Sequence, residues 1–228
     1  NKGMIEVMSD DVFEAFIKSD LDRGVISKDS PRNLKLVYTP LNGAGYKCVT
    51  TILDRDGFKN IDIVKEQKDP DGNLPPAPYP NPEIKEALTL GIKLLKETND
   101  DILIATDPDS DRVGVVVNQH GEPIILTGNE VGILLFDFIY RVRKQEGTLP
   151  NKPFAVKTIV SSDLVNVMAK EYGVEIAEVL TGFKYIGEQI LWLENKGETD
   201  RYILGFEESS AYLTNTDIRD KDAVNAAM

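Results

Sequence analysis

The chain has 228 residues, enough for one large domain or two ordinary ones, and its 41% hydrophobic and 28% charged residues are typical of a globular α/β protein. Its 38 acidic against 26 basic residues give a net charge of −12, which argues against a nucleic-acid partner or an anionic membrane surface. No apolar run approaches the roughly 20 residues of a membrane span, the N-terminus lacks a signal-peptide pattern, and the single Cys48 fits a reducing compartment, so we expect a cytoplasmic protein.

Both ends of the sequence resemble cut positions. The first residue is Asn1 rather than methionine, and residues 221–228 have the pattern of a helix that has barely started. We therefore expect the chain to be a piece of a longer polypeptide.

The first half of the sequence alternates between helical and strand patterns. Apolar residues at helical spacing follow Ser9, a suitable N-cap. Residues 69–82 contain six prolines in fourteen residues, which predicts an extended connection that we interpret as an ordered surface crossing. The predicted elements are a helix over 10–18, a strand over 34–38, a helix over 46–55, a strand over 61–64, a helix over 83–97, and two strands flanking 107–112, the second over 113–118.

The second half repeats the alternation. A strand over 123–126 precedes a long helix that starts near Thr127 and ends at Gly147, a residue typical of helix ends. There follow a strand over 154–160, a helix ending at Gly173, a strand over 175–180, a loop over 181–187, a helix, and a last strand over 202–205. This pattern predicts two consecutive α/β domains with mixed, largely parallel sheets flanked by helices, over residues 1–122 and 123–228.

Polar loops follow the predicted strands throughout the chain. In open α/β sheets, ligands gather outside the carboxyl ends of the strands, so these loops are expected to share one site. They cover residues 39–45, 107–112, 161–163, 181–187 and 206–212.

The acidic loop, residues 107–112, is the clearest of these. Asp107, Asp109 and Asp111 are spaced so that their carboxylates converge on one point, and Mg²⁺ prefers such oxygen ligands. Arg112 adds a cation beside the predicted metal, and a metal next to a guanidinium suits a phosphoryl group. A solvated acidic turn is the alternative. An EF-hand is excluded because Arg112 and Asn118 stand where that loop needs Gly and Glu.

Three other features could bind substrate or move a proton. Glu207 and Ser209 stand two residues apart and could hold the vicinal hydroxyls of a sugar, although a polar strand end is equally compatible. Lys184 lies in a predicted loop and could contact a phosphate, or could be an ordinary exposed lysine. Lys221 could transfer a proton, or could belong to a charged helix start.

These segments together resemble the α-D-phosphohexomutase superfamily, the phosphoglucomutases and phosphomannomutases, and most strongly the bacterial phosphoglucomutases. The acidic loop is similar to that family's Asp-Gly-Asp-Gly-Asp-Arg metal loop, with Pro108 and Ser110 in place of glycines. The resemblance covers nearly the whole chain in the right order. The matching segments are residues 39–45, 107–112, 181–184, 205–210 and 219–222.

The resemblance implies that residues 1–122 and 123–228 are the second and third domains of a four-domain enzyme. It implies Mg²⁺ on the three aspartates, catalytic roles for Arg112 and Lys221, and substrate binding by Glu207, Ser209 and Lys184. The reaction would interconvert glucose 1-phosphate and glucose 6-phosphate through a hexose bisphosphate. The phosphoserine of a first domain and the phosphate-binding loop of a fourth domain would lie outside this chain, which should be inactive alone.

Several alternatives remain open on the sequence. A phosphomannomutase of the same family would share every one of these features. A phosphatase of the haloacid-dehalogenase type also places Asp-x-Asp after a strand and would use Asp107 as nucleophile, although its fifth position is usually not an aspartate such as Asp111. A non-catalytic module that binds sugar phosphates is a further possibility from a different functional class.

Overall fold

The first half of the chain forms a five-stranded sheet in the order β2-β1-β3-β4-β5. The structure, a computed structural model, describes residues 3–27, 29–74, 77 and 79–228. Strands β2, β1 and β3 are parallel to one another. Strand β4 pairs antiparallel with β3, and β5 pairs antiparallel with β4. The elements are α1 (Asp10–Leu21), β1 (Lys35–Thr39), α2 (Gly45–Asp56), β2 (Asn60–Ile63), a 3₁₀ turn (Lys65–Gln67), α3 (Thr89–Thr98), β3 (Ile102–Thr106), β4 (Val113–Gln119) and β5 (Glu122–Leu126).

The second half forms a four-stranded sheet in the order β7-β6-β8-β9, with only β9 antiparallel. Both sheets are mixed, mostly parallel and flanked by helices, so the predicted fold class is confirmed. The elements are α4 (Gly128–Gln145), β6 (Phe154–Thr158), α5 (Leu164–Tyr172), β7 (Glu175–Val179), α6 (Phe183–Asn195), a 3₁₀ turn (Thr199–Arg201), β8 (Tyr202–Glu207), β9 (Ala211–Leu213) and α7 (Ala223–Ala227).

Side chains alternate across the first sheet and meet helices on both faces. Val37 and Leu103 pack in a cluster with Leu95 of α3, whereas Leu36 and Tyr38 face the other way and join a larger core. That larger core runs without interruption from α1 and α2 through α4 to β8 and α7. The two halves therefore share buried apolar surface, which fixes their strand ends relative to each other.

The helix predicted over 83–97 is wrong in its first part, because α3 begins only at Thr89. After Pro82 the chain makes successive turns whose amide groups bond three residues back, as in Ala87 N–H to the Ile84 carbonyl at 3.1 Å. The Asn81 side chain accepts the Glu83 N–H at 2.9 Å and so starts a turn instead of a helix. Apolar periodicity alone does not separate such turns from helix.

Two further predictions need correction. The strand over 202–205 is not the last one, since β8 continues to Glu207 and β9 follows. The helix after residue 187 starts earlier, at Phe183, so the predicted loop over 181–187 is mostly helical. The division near residue 123 stays a prediction; that position lies in β5, which pairs with β4 of the first sheet.

The proline-rich connection is described only in part, because Pro75, Pro76 and Pro78 lie outside the described residues. Its first residues are fastened to the loop after β1. The Asn42 side chain donates to the Asp69 carbonyl at 2.9 Å, and Asp71 N–H donates to the Asn42 carbonyl at 3.1 Å. Within the described residues, no helix has the length and apolar character needed to cross a bilayer.

Candidate active site

Asp107 organises the acidic loop from the carboxyl end of β3. Its side chain is only 1% exposed, and its Oδ1 accepts the backbone N–H groups of Asp111 and Arg112, each at 3.0 Å. Its Oδ2 forms an ion pair with Arg112 Nε at 2.7 Å. A buried carboxylate is stable only when it is paired and hydrogen-bonded. Asp107 thereby closes the turn and fixes the guanidinium beside it.

The three aspartates converge as predicted. Asp107, Asp109 and Asp111 each offer a carboxylate oxygen, and these oxygens lie within 4.8 Å of one another. Asp107 is buried, Asp111 is half-buried and Asp109 is exposed, so the cluster opens toward solvent on one side. Three hard oxygen donors with an open side fit Mg²⁺, which keeps several waters and takes only a few protein carboxylates.

Glycines beneath the acidic loop allow another backbone to lie against it. A Cβ on Gly43 would come within 2.3 Å of the Pro108 Cα. The neighbouring Ala44 N–H donates to the Pro108 carbonyl at 2.8 Å. The loop after β1 therefore supports the acidic loop through direct backbone contact, which only a residue without a side chain permits at Gly43.

Lys221 reaches the acidic loop from the segment before α7. Its Nζ lies 2.6 Å from Asp111 Oδ2, and the next-but-one residue, Ala223, donates its N–H to the Ser110 carbonyl at 3.1 Å. Burial acts to lower the pKa of Lys221, but the hydrogen bond and charge of Asp111, with the charge of Glu207 beyond it, outweigh burial and raise that pKa. Burial raises the pKa of Asp111 in spite of the lysine.

The Glu207 loop, residues 206–212, lies at the same edge. The loop consists of the end of β8, a turn over residues 208–210 and the start of β9, with Ser210 in the left-handed region at φ 63°. The Glu207 side chain is buried, and its Oε1 accepts the Gly182 N–H at 2.7 Å. Val113, the first residue after the acidic loop, donates its N–H to the Ser210 carbonyl at 2.8 Å. A backbone hydrogen bond therefore joins the two loops.

Two family models match the chain in succession. They describe the phosphoglucomutase/phosphomannomutase alpha/beta/alpha domain II, over residues 13–121, and domain III, over residues 127–228. The chain belongs to the α-D-phosphohexomutase superfamily. The predicted resemblance is confirmed, and the matched ranges leave β5 between the two family domains.

Related proteins carry several different mutase names. A phosphoglucomutase of Staphylococcus saprophyticus is 36% identical over 97% of this chain and 39% of its own length. A probable phosphomannomutase of Haemophilus influenzae is 36% identical over 97% of this chain and 42% of its own length. A phosphoribomutase of Saccharomyces cerevisiae is 37% identical over 84% of this chain and 32% of its own length. The chain thus spans about two fifths or less of these curated relatives.

Solved structures share the fold. The putative phosphomannomutase of Thermus thermophilus superposes with a TM-score of 0.72 at 23% identity, covering 94% of this chain and 45% of that one. This likeness shows that the chain has the fold of that structure. The partial coverage agrees with the expectation that this chain corresponds to the two central domains of that family.

Lys184 and Ser209, the other two predicted substrate-binding residues, do not lie in extended loops. Lys184 lies in the first turn of α6 instead of a loop, because the helix starts immediately after Gly182. Its side chain is exposed, and its Nζ lies 5.0 Å from the centre of the Tyr185 ring. Ser209 is the middle residue of the turn over 208–210 and is half-buried. Lys184 stands two residues after Gly182, whose N–H group donates to Glu207.

Sequence reasoning missed the residues that anchor the Glu207 loop. Ser210 Oγ donates to Glu83 Oε1 at 2.9 Å, from the turns before α3. On the other side, Thr158 Oγ1 donates to Glu208 Oε2 at 3.0 Å, from the end of β6. Both partners are distant in sequence and form no local motif. The nearest available signal was the position of Thr158 near the carboxyl end of the strand predicted over 154–160.

Proposed function

We propose that the protein containing this chain is a phosphoglucomutase, which moves a phosphoryl group between the 1- and 6-positions of glucose through a hexose bisphosphate. The supporting observation is the hydrogen bond from Val113 to Ser210, which joins a cluster suited to Mg²⁺ to a loop suited to a sugar. The relatives named as phosphomutases support the same class of reaction. The exact sugar is part of the proposal.

Asp107, Asp109 and Asp111 would hold Mg²⁺, which when bound stabilises negative charge on phosphoryl oxygens as a Lewis acid. Arg112 lies in the same loop and is held by Asp107, so its remaining guanidinium N–H groups are oriented beside the carboxylate cluster. A guanidinium in this place stabilises the charge on phosphoryl oxygens during transfer.

Glu207 and Ser209 would hold the sugar. One oxygen of Glu207 accepts from Gly182, and among the described residues the other oxygen makes no hydrogen bond. That second oxygen is available to sugar hydroxyl groups. A carboxylate at the end of β8 and a hydroxyl in the turn that follows it would hold a hexose in either of two orientations, which a reversible exchange between the 1- and 6-positions requires. Lys184 would contact the phosphate at the far end of the sugar.

Lys221 is the proposed acid/base group. Its ammonium lies beside Asp111, and its charge is within reach of Glu207, so it sits between the acidic loop and the Glu207 loop. From this position it could give a proton to a sugar oxygen and recover it on the reverse step. The phosphoserine that supplies the phosphoryl group would lie in another domain of the same polypeptide. We therefore propose that the chain alone is inactive.

The other readings differ in their support. Phosphomannomutase remains the second candidate, because a probable phosphomannomutase is as similar to the chain as the phosphoglucomutase is. The phosphatase reading with Asp107 as nucleophile loses its basis, since both halves match mutase domains. A non-catalytic module that binds sugar phosphates would show no isomerisation in the assay described next.

The test is an assay of the complete gene product that contains this chain. Glucose 1-phosphate, mannose 1-phosphate and ribose 1-phosphate are each supplied with Mg²⁺ and the matching bisphosphate, and formation of the isomeric sugar phosphate is measured. We expect the highest kcat/KM with glucose 1-phosphate. Asp109→Asn should lower kcat, whereas Asp200→Asn, an exposed aspartate in a 3₁₀ turn, should not. A folded gene product that isomerises none of the three substrates would refute the mutase proposal.

A further inference from the structure

Two buried aspartates meet where α1 packs against the segment before α7. Asp20 lies near the end of α1 with no exposed surface, and its Oδ1 accepts the side-chain N–H of Asn215 at 2.9 Å. Asp222 is the N-cap residue of α7 and is 5% exposed. Its Oδ1 accepts the N–H groups of Val224 at 2.8 Å and Asn225 at 3.2 Å. One oxygen of each carboxyl group is therefore satisfied.

The other oxygen of each group needs an explanation. Within residues 3–27, 29–74, 77 and 79–228, neither Asp20 Oδ2 nor Asp222 Oδ2 has a hydrogen-bond partner, and the side-chain N–H group of Asn225 has none either. The two carboxyl groups are close enough for the charge of Asp222 to raise the pKa of Asp20. Two neighbouring buried carboxylates repel each other strongly when both are ionised. A single proton between them removes the repulsion and gives both oxygens a partner.

The charged and titratable neighbours do not offer a better partner. The Cys48 thiol faces the pair from α2, and its pKa is raised by burial and then by the charge of Asp222. Asp217 is engaged by Ser19 at 3.0 Å and Arg23 at 3.4 Å. Lys221 directs its ammonium at Asp111.

We propose that Asp20 and Asp222 share one proton at neutral pH and act as a positioning pair that fastens α1 to the start of α7. This contact supports the backbone around Lys221 and Ala223, which are bonded to Asp111 and Ser110 of the acidic loop. The pairing is tested by the pH dependence of folding and by the titration of the Asp20 carboxyl group. Its test therefore does not depend on the reaction proposed above.

The pH dependence follows from the burial of the pair. Burial and then the charge of Asp222 raise the pKa of Asp20 from 3.8 to about 7. The folded chain thus keeps a proton that the unfolded chain has already lost. The stability that this proton supplies is fully present below the unfolded pKa and is lost as the pH rises through about 7. Over that interval, the folding equilibrium constant should fall about tenfold per pH unit because of this pair.

The deciding comparison is between the wild-type chain and Asp20→Asn. The asparagine amide would donate permanently to Asp222 Oδ2 while its carbonyl still accepts from Asn215. Urea unfolding is measured at intervals from about pH 5 to pH 8, a span that covers the titration expected from the raised pKa. In the lower part of this range, the folding constant of the wild type should fall about tenfold per pH unit relative to that of Asp20→Asn. Asp217→Asn removes the same charge nearby and should keep the wild-type pH dependence.

A second measurement needs no variant. In ¹³C-labelled wild-type chain, the Asp20 carboxyl signal should titrate near pH 7, and the Ala223 amide signal should shift with the same midpoint. An Asp20 carboxyl that titrates at its ordinary pKa would overturn the proposal. Equal pH dependence in wild type and Asp20→Asn would do the same, as would a wild-type pH dependence abolished by EDTA, which indicates a bridging cation.

Discussion

Ser110 holds a left-handed backbone conformation in the acidic loop, with φ at 60°. A residue with a Cβ adopts this conformation at a cost of roughly 1–2 kcal/mol, which glycine avoids. The hydroxyl oxygen of Ser110 is also buried without a partner among the described residues. Leaving such a group unsatisfied costs about 1–3 kcal/mol. Substitution by glycine also lowers the free energy of unfolding by about 0.4–1 kcal/mol, because the unfolded chain gains conformational freedom.

Two substitutions separate these contributions. Ser110→Ala removes only the hydroxyl and should stabilise the chain by about 1 kcal/mol. Ser110→Gly removes the hydroxyl and the backbone strain, and should stabilise it by about 2 kcal/mol. The free energy of unfolding is measured by urea titration with EDTA present, so that metal binding does not contribute. If Ser110→Gly proves no more stable than Ser110→Ala, the backbone at this position is not strained and the reasoning fails.

Three other substitutions test the supports around the site by urea unfolding. Gly43→Ala would place a Cβ 2.3 Å from the Pro108 Cα, and should cost about 2 kcal/mol. Ser210→Ala should cost about 1 kcal/mol, and most of this cost should disappear when Glu83 is already alanine, because the two side chains share one hydrogen bond. Thr127→Ala removes the capping box of α4 and should cost about 1 kcal/mol.

Each of these predictions has a matched control. Gly72→Ala adds a methyl group where nothing lies within 4 Å and should leave stability nearly unchanged. Thr127→Ser keeps the capping hydroxyl and should behave as wild type. If the losses in the free energy of unfolding caused by Ser210→Ala and Glu83→Ala are additive, the hydrogen bond between these side chains does not contribute to stability. If Gly43→Ala is as stable as Gly72→Ala, the close contact between the loop after β1 and the acidic loop does not contribute to stability.

The acidic loop was predictable because its chemistry is local in sequence. The strand before Asp107 and the strand after Arg112 fix a turn of six residues, and carboxylates at alternate positions of such a turn converge. Helix ends marked by strong local signals were also recovered. Thr127 forms the capping box that starts α4, and Gly173 adopts the left-handed conformation that ends α5.

The features that sequence reasoning missed depend on contacts between distant segments. Periodicity placed the start of α3 too early because Asn81 and the prolines before it favour turns over helix, although the apolar spacing is the same. The anchors Glu83 and Thr158 contact the Glu207 loop only after both sheets have formed. The pairing of Asp20 with Asp222 joins residues at opposite ends of the chain, so no local pattern reveals it.

Magnesium binding to the acidic loop is the property on which the proposed phosphoryl transfer depends. Isothermal titration of the chain with Mg²⁺ should show one weak site in the wild type and in Asp200→Asn. Asp109→Asn removes an exposed carboxylate that makes no hydrogen bond within the described part of the chain, so it should leave the fold intact while weakening binding at least about tenfold. Equal binding by all three proteins would contradict a metal site at these aspartates.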